Sequence, residues 1–405
     1  MNYLTSKQIS EKWGITPRRV QDMCKNGAIF GAERHGREWL IPANAEKPLD
    51  KRSVKTSDNS NQADSVLFVN LLSRYAIPGC AKTLAASLKN TPDALEIFNM
   101  QLYFYQGKFK KSLDIAMKYL DKNGGIQQHI LIGTQLSLCA IVSGDLKIWN
   151  LSQDYLKNYA PRNKSEKDIF DFLLGASASL LYDASLFPDW FRRGDFTPLP
   201  LKFHALARLY YAKYLYIIAR DPACIHNNIP QLDFIRVIPL IIEPMLSQSA
   251  SEENVINEAY LRLMCACFYH VGGEDSLAKK HIKKSTELLL PDKLYLPLAE
   301  YRHRLGSLLD DHIEAIDKTA FEKIKQLSKQ TNPSWIKLHN LVMNKTVSEN
   351  LSLRERQIAK LAIYGLSNKE IADRYDISVN AVKQSLRSVM DKTGVNSRTE
   401  LYKFV

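Results

Sequence analysis

Between residues 93 and 159 the apolar positions recur at helical intervals. In Asp93–Gln106 they fall at Leu95, Ile97, Phe98, Leu102, Phe104 and Tyr105, and in Phe109–Leu120 at Phe109, Leu113, Ile115, Ala116, Tyr119 and Leu120. This is the i, i+3, i+4 spacing of an amphipathic helix. Gly107-Lys separates the two. The unit recurs as Ile126–Ser143, a Gly144-Asp turn and Leu146–Tyr159, and again as Glu252–Val271, Gly272-Gly273 and Asp275–Leu290. Gly107 and Gly144 lie 37 residues apart. A repeated helix, glycine turn and helix predicts antiparallel pairs stacked as an array, since one pair cannot bury its apolar face alone. The array is expected over residues 63–345. Pro188, Pro198, Pro200, Pro222, Pro230, Pro239 and Pro244 interrupt the period across residues 161–250.

The two ends carry different punctuation. Ser352-Leu-Arg-Glu355, Ser367-Asn-Lys-Glu370 and Ser397-Arg-Thr-Glu400 are S-x-x-E capping boxes, in which serine and glutamate satisfy each other's orphan amides at a helix start. Ser378 marks a further start, for a helix running to about Thr393 with Gly394 as its left-handed end. The pattern predicts four short helices cored by Ile358, Leu361, Ile371, Val382, Leu386 and Val389, with Tyr375-Asp-Ile-Ser378 as a tight turn between the second and third. Lys383 and Arg387, four residues apart, face away from Val382, Leu386 and Val389. At the other end, Thr5-Ser-Lys-Gln8 is a T-x-x-Q box. Thr16-Pro17 begins a helix that buries Val20, Met23 and Cys24 and exposes Arg18, Arg19 and Gln21. Ala28–Pro42 reads as a hairpin with Arg34-His35-Gly36-Arg37 at its basic tip and Trp39 in its core. Ser53–Gln62 is a polar run without apolar periodicity, a linker.

Charge changes the picture by its location. The 405 residues carry a formal charge of +12. Residues 1–52 hold ten basic and six acidic side chains, and residues 351–405 hold the same numbers, so the ends carry +8 of the total. Polyanionic partners are therefore expected at the ends. The apolar stretches Ile169–Tyr182 and Phe203–Ala219 are broken by Asp171, Arg208 and Lys213, short of the roughly 18 apolar residues a membrane span needs. The N-terminus lacks the basic start and apolar core of a secretory signal. A cytoplasmic, nucleoid-associated protein is expected, with its six scattered cysteines as reduced thiols. Neither a G-x-x-x-x-G-K-[ST] loop, an H-E-x-x-H helix nor a G-x-S-x-G turn occurs, and His270 and His303 read as surface or satisfied residues. No catalytic residue, metal site or cofactor is expected, and the chain is not read as an enzyme.

Leu351-Ser-Leu-Arg-Glu-Arg-Gln-Ile, Gly365-Leu-Ser-Asn-Lys-Glu-Ile-Ala, Ile377-Ser-Val-Asn-Ala-Val-Lys and Thr393-Gly-Val-Asn-Ser-Arg-Thr-Glu resemble the LuxR-type (GerE-like) helix-turn-helix domain. The resemblance implies a four-helix DNA-binding module whose third helix enters the major groove and whose fourth pairs in a homodimer. By position it assigns Lys383, Gln384 and Arg387 to base edges or nearby phosphates, and Ser367, Asn368 and Lys369 to the backbone. Ser385 stands where the family often has histidine, which weakens one phosphate contact. Leu4-Thr-Ser-Lys-Gln-Ile-Ser, Gly14-Ile-Thr-Pro-Arg-Arg-Val-Gln, Gly27-Ala-Ile and Arg37-Glu-Trp-Leu-Ile-Pro resemble the excisionase and MerR-like winged helix-turn-helix group. That likeness implies major-groove contact by Arg18, Arg19 and Gln21, with Arg34, His35 and Arg37 of the wing near phosphates or the minor groove. The middle resembles tetratricopeptide-type repeats.

The expected protein is mostly α: a winged helix-turn-helix (1–50), a linker (51–62), a tetratricopeptide-like helical array (63–345) and a four-helix LuxR-type domain (350–405). Its expected function is sequence-specific transcriptional regulation on double-stranded DNA. The array would serve as spacer, as dimerisation element, or as the domain that binds a peptide, protein or small-molecule effector. Tyr210, Tyr211, Tyr214 and Tyr216 are either a partner surface or array core. The alternatives are an excisionase-like architectural or recombination-associated protein and an interaction scaffold that does not bind DNA.

Overall fold

A computed structural model of the chain describes residues 3–25, 29, 32–36, 38–43, 45, 77–122, 125–220, 231–251, 254–344, 351–393 and 395–403. The chain divides into two compact units, Met1–Ser60 and Asn61–Val405. The linker expected at 51–62, Gly394 and Cys224 lie outside the described residues. Among the described residues no helix is long and apolar enough to cross a membrane.

In the first unit a short strand β1 (Tyr3–Thr5) leads into helices α1 (Ser6–Trp13) and α2 (Pro17–Lys25), followed by strands β2 (Glu33–His35) and β3 (Glu38–Pro42). The strands form an antiparallel sheet in the order β1-β3-β2, with Thr5 opposite Leu40 and Arg34 opposite Trp39. Thr5 ends the strand and caps the helix. Its amide donates to Gln8 Oε1 at 2.9 Å and its hydroxyl accepts from the Gln8 amide at 3.4 Å. Ile9, Trp13, Val20, Cys24, Ile29 and Ile41 make the core, with Trp39 and Met23 packed at its edge.

The second unit begins with α3 (Ala81–Ser87), α4 (Pro92–Tyr105), α5 (Phe109–Lys118), α6 (Ile126–Ser143), α7 (Leu146–Lys157), α8 (Lys164–Ser179) and the single turn α9 (Asp189–Arg192). Helices α10 (His204–Arg220), α11 (Gln231–Ser251), α12 (Val255–Gly272), α13 (Asp275–Leu289), α14 (Leu296–Leu305), α15 (Ser307–Ile316) and α16 (Lys318–Met343) follow. The pairs α4/α5, α6/α7 and α12/α13 match the periodic segments to within a few residues. Gly107 and Gly144 sit in their turns at φ +77° and +67°, where a side chain is strained. A Cβ on Gly107 would stand 2.5 Å from Leu327, and one on Gly144 2.9 Å from the Ser334 carbonyl. Leu327 and Ser334 lie seven residues apart on α16, roughly 10 Å of helix rise, matching the ~8–10 Å spacing of packed helices. The repeated glycines thus let one long helix cross successive turns. Helix α16 also packs on α6, α7, α14 and α15, so the array folds back on itself.

Proline punctuates less than its spacing suggests. Pro188 precedes α9, but Pro239 and Pro244 lie within α11, and Pro333 within α16. Each removes a helical hydrogen bond. Burial compensates in α11, where Ile235, Ile238 and Ile242 are fully buried. The tyrosine row divides: Tyr211 and Tyr214 pack edge-on against Phe191 at 5.8 and 6.3 Å, while Tyr210 and Tyr216 line a cavity.

Helices α17 (Leu353–Ile363), α18 (Asn368–Tyr375) and α19 (Val379–Thr393) complete the unit. Their core is continuous with that of the array: Ile358, Leu361, Ile371, Val382, Leu386 and Val389 share one cluster with residues of α10, α11 and α12. Polar contacts set the seating. Arg374 of α18 donates to Asp275 at 3.1 Å and to the Val271 carbonyl at 3.3 Å. Burial opposes ionisation of Asp275, but His270 and Arg374 outweigh it and hold its carboxyl below the usual range. His270 is a satisfied residue, 2.7 Å from Asp275. His303 is not a surface residue; it lines the cavity.

At Gly306, between α14 and α15, the backbone adopts φ +58°, ψ −134°, and a Cβ would lie 2.1 Å from Gln357 Nε2 on α17. Gly306→Ala is expected to destabilise the unit by about 1–3 kcal/mol, seen as a lower urea midpoint, and to speed amide exchange in α17. An unchanged midpoint would refute this tight seating.

Candidate nucleic-acid interface

The outward face of α19 is built by a cap and three anchors. Ser378 Oγ accepts from the Ala381 amide at 3.1 Å and starts the helix. Val382 and Val389 are fully buried and Leu386 nearly so, which turns Lys383, Gln384 and Arg387 to solvent. Ser385 is half-buried. Lys383 and Arg387 are one turn apart, about 6 Å along the axis. The face therefore offers two cationic donors and one amide, the chemistry that meets guanine, adenine and phosphate oxygens.

The helices beneath are capped as their serines predict. Ser352 Oγ accepts from the Glu355 amide at 3.1 Å while Glu355 accepts from the Ser352 amide at 2.8 Å. Ser367 and Glu370 repeat the arrangement at 3.2 and 2.7 Å. Ser397 does not. Arg398–Lys403 is a 3₁₀ helix rather than a fourth α-helix, and Glu400 accepts from the Asn396 amide at 3.2 Å. The physical reason lies in Arg398, whose guanidinium donates to the Ala362 carbonyl at 3.1 Å, to Asn368 Oδ1 at 2.9 Å and to the Leu366 carbonyl. These bonds fasten the segment to the end of α17 and the start of α18.

That clamp also sorts the residues expected at the DNA backbone. Ser367 and Lys369 are exposed at the N-terminal end of α18, where the helix dipole favours an anion. Asn368 is half-buried and held by Arg398, so its side chain positions the turn. In the first unit Arg18 is exposed, Arg19 and Gln21 are half-buried on α2, and Arg34 is exposed on β2. The side chain of His35 and the whole of Arg37 lie outside the described residues. Among the described residues no group of three or more His, Cys, Asp or Glu is placed to hold a metal ion.

Sequence reasoning missed the tie that orients α19. Glu355 was legible as a cap, but its carboxylate also takes Lys392 at 2.8 Å on both oxygens and Ser388 at 2.7 Å. One carboxylate thus joins the start of α17 to the last turns of α19. Burial disfavours its charge, yet the bonds from Lys392, Ser388 and Ser352 prevail and pull the carboxyl from 4.5 to about 2. A folded-state value below the unfolded one stabilises the fold above pH 4.5 and stops doing so as pH falls toward about 2. In urea titrations, wild type is expected to exceed Glu355→Gln in stability near neutrality, with the gap closing across that acid window. A constant gap would contradict the assignment.

Residues 349–405 match the sequence profile of bacterial regulatory proteins of the luxR family. The chain is 35% identical over 92 residues to "Response regulator Rre1" of Synechocystis sp., an alignment covering 21% of this chain and 35% of that protein. It is 47% identical over 51 residues to "Monoamine regulon transcriptional regulator" of Klebsiella aerogenes, covering 13% and 22%. The chain thus spans only 35% and 22% of the lengths of these two relatives. No solved structure matches the chain. Residues 349–405 carry a luxR-family helix-turn-helix domain.

Proposed function

We propose that the protein is a sequence-specific transcriptional regulator that binds double-stranded DNA, with α19 as its recognition helix. One observation carries the reading: Lys383, Gln384 and Arg387 stand exposed on a helix whose opposite face is locked into the core. The luxR-family match of that segment supports it, as do the regulator names of the two relatives. Phosphate neutralisation by lysine and arginine supplies salt-dependent affinity, and base-edge donors supply sequence preference.

In this proposal the first unit is a winged helix-turn-helix. Its two helices and three-stranded sheet, with Arg18, Arg19 and Gln21 on α2 and Arg34 on the hairpin, supply a second DNA contact. The array between serves as the signal domain, and two copies of the chain bind together at a two-fold site. The protein acts in the cytoplasm at the nucleoid, and no catalytic step enters the reading.

The test is a footprint on the promoter region beside the protein's own gene, with salt-dependent binding measured in parallel. Lys383→Ala/Arg387→Ala is expected to erase the footprint. It should also lower the log–log salt slope by about 1 for each phosphate contact removed. Deletion of residues 1–50 is expected to shorten the protected region. An unchanged footprint in the double variant would sink the assignment of α19.

A further inference from the structure

Helices α4, α6, α8, α10, α12, α14, α16 and α17 contribute side chains to a cavity of about 620 Å3. That volume lies in the range of small-molecule sites, roughly 300–1,000 Å3. Most of its wall is aliphatic and aromatic. Phe104 and Tyr105 of α4, Tyr210 of α10, Tyr260 of α12 and Trp335 of α16 line it, with the Tyr105 and Tyr260 ring centroids 6.4 Å apart.

The charged groups on this wall are already engaged. Arg304 donates to the hydroxyls of Tyr216, at 3.0 Å, and Tyr182. Glu300 accepts from the Tyr260 hydroxyl at 2.8 Å and offsets the charge of the Lys213 ammonium. Arg356 and Lys360 have partners of their own. An unmet hydrogen bond remains at a neutral group. Gln101, 7% exposed, lines the cavity, and its side-chain carbonyl is buried without a hydrogen-bond partner. Gln101, Phe104 and Tyr105 stand at i, i+3 and i+4 and so share one face of α4. The hydroxyls of Tyr105 and Tyr210 have no hydrogen-bond partner among the described residues, and burial keeps both protonated. A buried acceptor without a donor costs free energy that a ligand N–H or O–H recovers. An ion entering the same space would lose its hydration against charges that are already engaged.

We propose that this cavity is the receptor site for a small neutral aromatic molecule carrying an N–H or O–H donor. The Gln101 carbonyl accepts from that donor, and the rings of Phe104, Tyr260 and Trp335 pack on the aromatic body. The proposal deepens the reading of the array as a signal domain and rests on it. Arg356 and Lys360 of α17 and Tyr402 of the final 3₁₀ helix also line the cavity, so an occupant meets a wall that the helix-turn-helix domain itself supplies. Occupancy therefore acts directly on the helix that seats α18 and α19.

Two neutral probes of matching shape test this in the full chain: N-phenyl-1-naphthylamine, whose bridge is an N–H, and 1-benzylnaphthalene, whose bridge is a CH2. The amine is expected to bind saturably, one per chain, and about fivefold to tenfold tighter than the hydrocarbon that displaces it. Gln101→Leu replaces an amide whose carbonyl has no partner by an apolar chain of similar size, so the fold is retained. It is expected to bring the two affinities together by weakening the amine alone. Bound amine should also slow amide exchange in Leu353–Ile363. Equal affinity of the two probes for wild type, a difference that survives in Gln101→Leu, or absence of a saturable site would overturn the proposal. Donor-dependent binding with unaltered exchange in α17 would uphold the site and overturn its role in signalling. DNA enters none of these readouts, so failure here leaves the DNA-binding reading intact, and loss of that reading leaves the cavity result standing.

Discussion

Ile358, Ile371, Val382 and Leu386 are buried in the same apolar core as Ile238, Ile242, Leu261 and Met264 of the array. Each such side chain contributes about 1.5–3 kcal/mol by leaving water, so separating the helix-turn-helix bundle from the array would expose surface on both. The consequence is geometric. The orientation of α19 is set by the helices on which its bundle rests, and the polar contacts refine that seating. Arg374 on Asp275 and the Val271 carbonyl selects one register of bundle on array, and Gln357 packs closely over Gly306, where a side chain has no room. Glu355 with Lys392 selects one angle between α17 and α19.

The basic residues of this unit serve two opposite environments. Lys383 and Arg387 stay hydrated on the outer face of α19, where a charge costs little and polyanions reach it. Arg304, Arg356 and Lys360 are turned inward, and the Arg304 guanidinium is met there by tyrosine hydroxyls and ring faces. Helix α17 bridges the two environments: Ile358 packs in the shared core while Arg356 and Lys360 face the cavity. A net charge of +12 counts both populations alike. Its concentration at the chain ends located the candidate DNA-binding faces, but the inward cations went unseen because their distinction is one of burial.

What was legible in the chain was local. The capping boxes at Thr5, Ser352 and Ser367 form as read because both partners lie within four residues and no longer-range contact displaces them. The helix pairs around Gly107 and Gly144 follow from a period of apolar positions and a residue tolerant of positive φ. Reading failed where a distant group outbid a local one. The Ser397 box yields to Arg398, which spends its donors on Ala362, Leu366 and Asn368. The prolines of α11 and α16 remain inside helices, held there by packing on neighbours far along the chain.

By itself, then, the sequence determined the helical class, the positions of most helix starts and the chemistry on the open face of α19. Only the tertiary structure decided that the array returns on itself through α16, that its core continues into the bundle, and that Lys213, Arg304, Arg356 and Lys360 meet around one cavity. The physical reason is range. Caps and periodicity act over a turn or two of helix, whereas the cavity gathers residues more than two hundred positions apart, such as Gln101 and Arg356, whose proximity exists only once the helices between them have packed.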